Sequence, residues 1–223
     1  MGETDSGLEA CLQYGVSVVS FHWDEPYEYV DRIHNADTLV MYTVASAEDA
    51  GVDIIVAQGW EAGGHVRGEV ATMALLPRVV DAVSPVPVIS AGSIADGRGM
   101  AAALMLGADG VWVGTRFAVS EEASVDPSYK ERIINASETD TLFSKVFNGG
   151  WDAAGRVLRN STTEKWEAAG RPAHGERPGE GEVIARSADG EPVLRYSAIG
   201  PYVGVTGDLE GLSNWAGQGV GLV

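Results

Sequence analysis

Two stretches of this chain are near copies of one another, "AGVDIIVAQGW" (50–60) and "LGADGVWVGTRF" (106–117). Each opens on Gly-x-Asp, runs through an apolar strand-like segment and ends in small or polar residues. "YGVSVVSFHW" (14–23) shares the plan without the aspartate. A glycine in that place suits the left-handed residue that ends a helix, and aspartate suits the short turn that follows. "TLVMYTV" (38–44) and "VPVISAG" (86–92) are two further runs of buried type. Helical candidates lie between, such as "ATMALLPRVVDAV" (71–83) and "GRGMAAALML" (97–106). Continuous β-branched runs alternating with helices specify a parallel sheet buried on both faces. Five such strands are countable.

One spacing conflicts with this plan. Only "SAEDAG" and a neighbour separate "YTVAS" from "VDIIV", whereas neighbouring parallel strands are joined by a crossover of roughly a dozen residues or more. Either these two strands are not adjacent parallel partners, or the connection is abnormally short.

The last hundred residues change character. "YKERIINASETDTLFSKVF" (129–147) has a helical pattern, "AAGRPAHGERPGEGE" (168–182) is Gly/Pro-rich loop, and "PVLRYSAIGPYVGVTG" (192–207) is mixed. Residues 1–120 therefore form the βα part, and 121–223 a helical and loop-rich extension.

Bulk numbers exclude several classes. A hydrophobic fraction of 45% with 21% charged residues is that of a globular chain. No apolar run approaches the roughly 18 residues of a membrane span, and "MGETDSGLEA" lacks the basic and apolar regions of a secretory signal. Cys11 is the single cysteine, so no intrachain disulfide or Cys-rich metal site is available. No His-x-x-x-His pattern suggests a metal either. A cytoplasmic location is the default expectation. The net charge of −17 repels nucleic acid and anionic membranes, and neither is expected as a partner.

In parallel α/β folds ligands sit at the carboxyl ends of the strands. Residues at those ends are His22 and Trp23, then Gln58 to His65, then Ala91, Gly92 and Ser93, and finally Gly114 and Thr115. The loops "SAGSIADG" and "VGTRF" are small and glycine-bearing, so their amides can approach a phosphate near a helix start. They serve equally as plain turns, and no G-x-G-x-x-G follows any strand. Gln58 carries donors and an acceptor that suit the edge of a flat heterocycle, or a strand-end cap. Gly63 and Gly64 let backbone pass close to a ring, or turn a corner. His65 alone among four histidines follows a strand end amid such glycines, and a neutral imidazole is a natural base toward a carbon acid. His34 and His174 read as surface residues. No G-x-S-x-G elbow points to a serine hydrolase.

The stretches "AQGWEAGGHVRGEV" and "PVPVISAGSIADGRGMAAALMLGADGVWVGTRF", with the closing "WAGQGVGLV", resemble the nitronate monooxygenase family. That resemblance runs from about Leu8 to Val223. It implies an FMN-dependent TIM barrel with a smaller substrate-side domain, oxidising alkyl nitronates with molecular oxygen. By the same resemblance the "EAGGH" histidine, His65, is the active-site base, and Gln58, Gly63 and Gly64 meet the flavin. Ala91, Gly92, Ser93, Gly114 and Thr115 match the FMN phosphate loops, with Gly92-Ser93 where the family usually has Gly-Gly. Residues 1–120 then correspond to a partial FMN-binding barrel, and 121–223 to a substrate-side extension whose tail packs on it. A complete barrel typically takes about 250 residues, so five strands leave the family's first strands unaccounted for. The open sheet must close differently, pair with a second copy as a homo-oligomer, or borrow strands from another chain. The rival readings are an FMN-dependent NAD(P)H reductase of quinones or enoyl thioesters, and an inactive truncated paralogue.

Overall fold

A computed structural model describes residues 3–23, 26–45, 52–149 and 153–223. The chain divides into two compact units. The first comprises Met1–Trp60, Arg67–Ala91 and Met100–Trp112; the second comprises Glu61–Val66, Gly92–Gly99 and Val113–Val223.

The first unit is built on a parallel sheet. Its strands are β1 (Val18–Phe21), β2 (Leu39–Val44) and β3 (Ile54–Gln58), and, beyond a two-residue strand β4 (Gly64–His65) of the second unit, β5 (Val88–Ala91) and β6 (Gly110–Trp112). The spatial order is β1-β2-β3-β5-β6. Each new strand is added beside the last without reversal. That is the winding of a barrel segment, since a doubly wound sheet reverses its strand order at a switch point. β3 is nearly continuous in burial and sits at the centre, whereas β6, at the edge, leaves Trp112 47% exposed. Helix α1 (Glu3–Gln13) precedes the sheet and the short α2 (Val30–His34) joins β1 to β2. Helix α3 (Thr72–Val83) buries Leu75, Leu76, Val79 and Val83, one stripe at helical spacing. Helix α4 (Gly97–Met105) buries only Ala103.

β2 and β3 are adjacent and parallel, Met41 facing Ile54 and Val44 facing Ala57. Of the two alternatives for "SAEDAG", the abnormally short connection is the one that holds; residues 46–51 themselves lie outside the described residues. The repeated Gly-x-Asp has a function beyond its turn. Asp53 donates its amide to the Val40 carbonyl (3.0 Å) while its Oδ2 accepts the Val40 amide (2.7 Å). Asp109 does the same to Val88, at 2.8 and 2.9 Å. Each aspartate thus adds a closed pair of bonds to the start of the neighbouring strand. Gly107, which opens the second copy, has φ +98°, the left-handed conformation expected at a helix end.

The second unit carries more β-structure than a helical and loop-rich reading foresees. β7 (Thr141–Ser144) and β8 (Gly155–Leu158) form an antiparallel sheet of order β4-β8-β7, and β9 (Val183–Arg186), β10 (Pro192–Leu194) and β11 (Thr206–Gly207) form another of order β10-β9-β11. The helical pattern of 129–147 resolves into α6 (Pro127–Ile134), preceded by the one-turn α5 (Thr115–Ala118), and then β7. Asn135 ends α6, its Nδ2 donating to the Glu131 carbonyl. Helix α7 (Ser161–Ala168) begins with a reciprocal cap in which the Asn160 side chain accepts the Thr163 amide and the Thr163 hydroxyl accepts the Asn160 amide. A 3₁₀ turn, Gln218–Leu222, closes the chain. Among the described residues no helix is long and apolar enough to cross a membrane.

Candidate active site

Within the first unit, Arg67 gathers the carboxyl ends of three strands. Its guanidinium Nη1 donates to the His22 carbonyl (2.8 Å), the Tyr42 hydroxyl (2.7 Å) and the Thr43 carbonyl (3.2 Å). The same group lies 5.7 Å from the Trp23 ring centre and 5.1 Å from that of Tyr42. The Arg67 amide donates to Gln58 Oε1 at 3.1 Å. Gln58 is buried at the end of β3 and serves as the strand-end cap, its acceptor committed to this loop. Ala91 closes β5 and accepts the Gly59 amide at 2.9 Å.

Within the second unit, the histidine sits on a short strand at the end of its loop. His65 occupies the two-residue strand β4, with Gly64 opposite Arg156 and His65 opposite Gly155 on β8. Opposed residues share a sheet face, so His65 lies over Gly155 and Arg156 over Gly64. The indole of Trp215 fills the space above Gly155, where a Cβ would come within 2.6 Å of Cζ3. It meets His65 with ring centres 4.9 Å apart. Burial pushes the His65 imidazole below its ordinary pKa, so that it is neutral at pH 7. Arg156, buried on the other face, donates to Thr141 Oγ1 (3.3 Å) and is attracted by Glu61, in the histidine's own loop.

The glycines divide by what surrounds them. A Cβ at Gly63 would stand 2.4 Å from the Gly217 amide nitrogen, so this glycine is required by close packing against the C-terminal tail. Gly64, at φ +74°, and Gly114 both face open space, with nothing within 4 Å of a Cβ. Gly92 and Ser93 take left-handed conformations at φ +112° and +57°, which turn the chain sharply after β5. Thr115 Oγ1 accepts the Gly217 amide at 3.0 Å, and a Cβ at Gly219 would lie 2.9 Å from the Ser93 carbonyl oxygen. The Gln218 amide donates to the Glu61 carbonyl at 2.8 Å.

The tail therefore holds the histidine loop, the 92–93 turn and the 114–115 turn together. It brings Gly63, Gly64, His65, Gly92, Ser93, Gly114 and Thr115 into one unit, while Gln58 and Ala91 belong to the other. The expected helix starts are weak: α5 after Gly114 has four residues, and α4 begins four positions beyond Ser93. Any anion there would be held by turn amides rather than by a helix dipole. Sequence reasoning did not single out Trp215, Gly217, Gly219 or Arg67. The tail motif "WAGQGVGLV" was the visible signal, but its contacts lie far away along the chain.

The family model for nitronate monooxygenase matches residues 2–223. A Staphylococcus aureus protein named "Probable nitronate monooxygenase" is 39% identical over 159 residues, which cover 64% of this chain and 44% of that protein. FabK of Thermotoga maritima is 33% identical with a TM-score of 0.71, covering 98% of this chain and 66% of that one. Nitroalkane oxidase of Streptomyces ansochromogenes is 28% identical with a TM-score of 0.75, covering 99% of this chain and 63% of that one. The chain spans less than half the length of the curated relatives it matches. With its sequential parallel strands, its histidine strand and its tail, this chain belongs to the nitronate monooxygenase family.

Proposed function

We propose that this chain supplies the base and much of the cofactor cradle for an FMN-dependent oxidation of alkyl nitronates, such as propionate 3-nitronate, by molecular oxygen. The observation that carries this reading is His65: a half-buried imidazole, kept neutral by burial, beside a glycine that opens onto empty space. The residues fit a flavin. Gly64 and Gly114 leave room that a side chain would fill, and the turns at Gly92-Ser93 and Gly114-Thr115 present backbone to an anion. Within the second unit, Gly63 and Gly64 would meet the ring through their backbone, and Gly92, Ser93, Gly114 and Thr115 the phosphate.

The redox chemistry, when FMN is bound, is the passage of electrons from the substrate carbon through the flavin to oxygen. The chain's residues do the rest. The neutral His65 ring takes a proton from the carbon acid of a nitroalkane, and with a pre-formed nitronate it stays neutral and keeps that carbon deprotonated. Trp215 excludes water from one side of the imidazole. The tail sets the position of the histidine strand through Glu61 and Gly63.

Likeness to FabK favours a second reading on the same residues, the NAD(P)H-dependent reduction of quinones or enoyl thioesters. One anaerobic titration separates the two. Bleaching of bound flavin by propionate 3-nitronate supports oxidation, and rapid bleaching by NAD(P)H alone supports reduction. A protein that purifies without flavin and takes up none overturns both, leaving an inactive paralogue.

A further inference from the structure

Trp215 is held more firmly than a surface aromatic needs to be. Its carbonyl accepts the hydroxyl of the buried Tyr129, and its Nε1 donates to the Ala198 carbonyl at 3.3 Å. Its ring is seated over Gly155, where no side chain is tolerated. Phe147, 2% exposed, stands behind it with ring centres 6.4 Å apart at 69°. Held in this way, the indole lies against His65 at an inclination of 42°. Both residues remain partly exposed, His65 Nε2 itself being enclosed.

A wall backed by a buried phenylalanine and fixed through its own backbone cannot retreat without disturbing the core of the unit. We infer that Trp215 is a specificity-determining residue, limiting the length of the carbon chain that a substrate can carry beside His65. The inference rests on the reading of His65 as the base that meets the substrate. It narrows the proposed substrates to compact, short-chain nitronates, because a longer or branched chain has to occupy the volume of the indole. Trp215 touches no reacting atom on this account; it selects what His65 meets.

The test uses straight-chain carboxylates, the isosteres of nitronates, from propionate to octanoate. Their dissociation constants are measured on FMN-loaded wild type, Trp215→Leu and Trp215→Phe at a protein concentration and salt at which the chain is associated, with kcat/KM for the matching nitronates in parallel. In the wild type, affinity should stop improving after the first few carbons. In Trp215→Leu it should continue to tighten by about fourfold for each methylene newly buried, while the shortest acid stays within about threefold of the wild type. Trp215→Phe, the milder change, should fall between them and guards against a leucine variant that does not fold. The same plateau at the same length in all three proteins overturns the inference. Loss of nitronate turnover at every length, with the plateau shift intact, overturns the proposed reaction and leaves the wall standing. The placement has its own readout in the flavin-free protein. The His65 ring protons should show an upfield ring-current shift that disappears in Trp215→Leu; its absence in the wild type also overturns the inference.

Discussion

His65→Asn is expected to keep any bound flavin and to lower turnover of neutral nitroalkanes by about 10²–10⁴-fold where proton abstraction limits the rate. With a pre-formed nitronate the loss should be smaller, since the proton is already gone. Unchanged steady-state rates with both substrates would remove His65 from the mechanism. Burial holds its folded pKa below the ordinary value near 6.5, so the acid limb of kcat/KM should fall below that value. Arg156, opposite Gly64 in the strand pair, and Glu61 act on one another. As pH drops through the ordinary histidine range, the unfolded chain takes up this proton before the folded one. The stability due to neutral His65 is therefore complete above that range and lost below it. Gly114→Val separates two roles of a turn glycine. Because a Cβ there meets nothing within 4 Å, the fold should tolerate the change, and flavin retention, measured on the folded protein, should be lost. A lowered melting temperature with unchanged FMN affinity would make Gly114 a turn residue only. At this scale His65 and the glycines were legible from their motif. The separate duties of Gly63 and Gly64 were not, because one packs against the tail and the other faces open space.

The parallel strands were legible because each is a compact β-branched run with its own turn signals. The strands of the second unit were not, because β4, β10 and β11 are two or three residues long and alternate too briefly to show a period. The Gly-x-Asp repeat was visible as a repeat, but its partner strand is chosen by sheet order, which local sequence does not encode. Asp53 allows a test of that clip. Burial raises its carboxyl pKa, but the Val40 amide and His34 (2.8 Å) outweigh this and hold it below the usual carboxylate value. A lowered folded pKa means that the bond contributes above the unfolded value and is lost as pH falls through it. Asp53→Ala should therefore be destabilised at pH 7 by about 1 kcal/mol, and the gap between variant and wild type should close below about pH 4. Chemical denaturation at several pH values would show this; a gap that is constant with pH would contradict it.

The first unit presents an open sheet. Among the described residues β1 and β6 each pair on one side only, and Trp112, Leu104 and Met105 are 47%, 43% and 87% exposed. Unpaired edges beside apolar side chains favour pairing with further strands, and net stabilities are only about 5–15 kcal/mol. The isolated 223-residue chain is expected not to persist as a flavin-loaded monomer in dilute solution. Its charge of −17 opposes self-association, so the associated fraction should grow as salt screens that repulsion. Sedimentation velocity followed at the flavin bands tests this. A compact 23.4 kDa species with stoichiometric FMN would show that the five-stranded unit is self-sufficient.

The hold of the tail on the histidine loop also has a consequence in time. The Gln218 amide that binds the Glu61 carbonyl leaves the ribosome about 150 residues after its partner, which at about 5–20 residues per second is a delay of roughly 8–30 s. Throughout that interval the nascent chain can pair its parallel strands, but it lacks the contacts that fix His65, the 92–93 turn and the 114–115 turn. The turns proposed to cradle the cofactor are therefore fixed only after the tail has emerged.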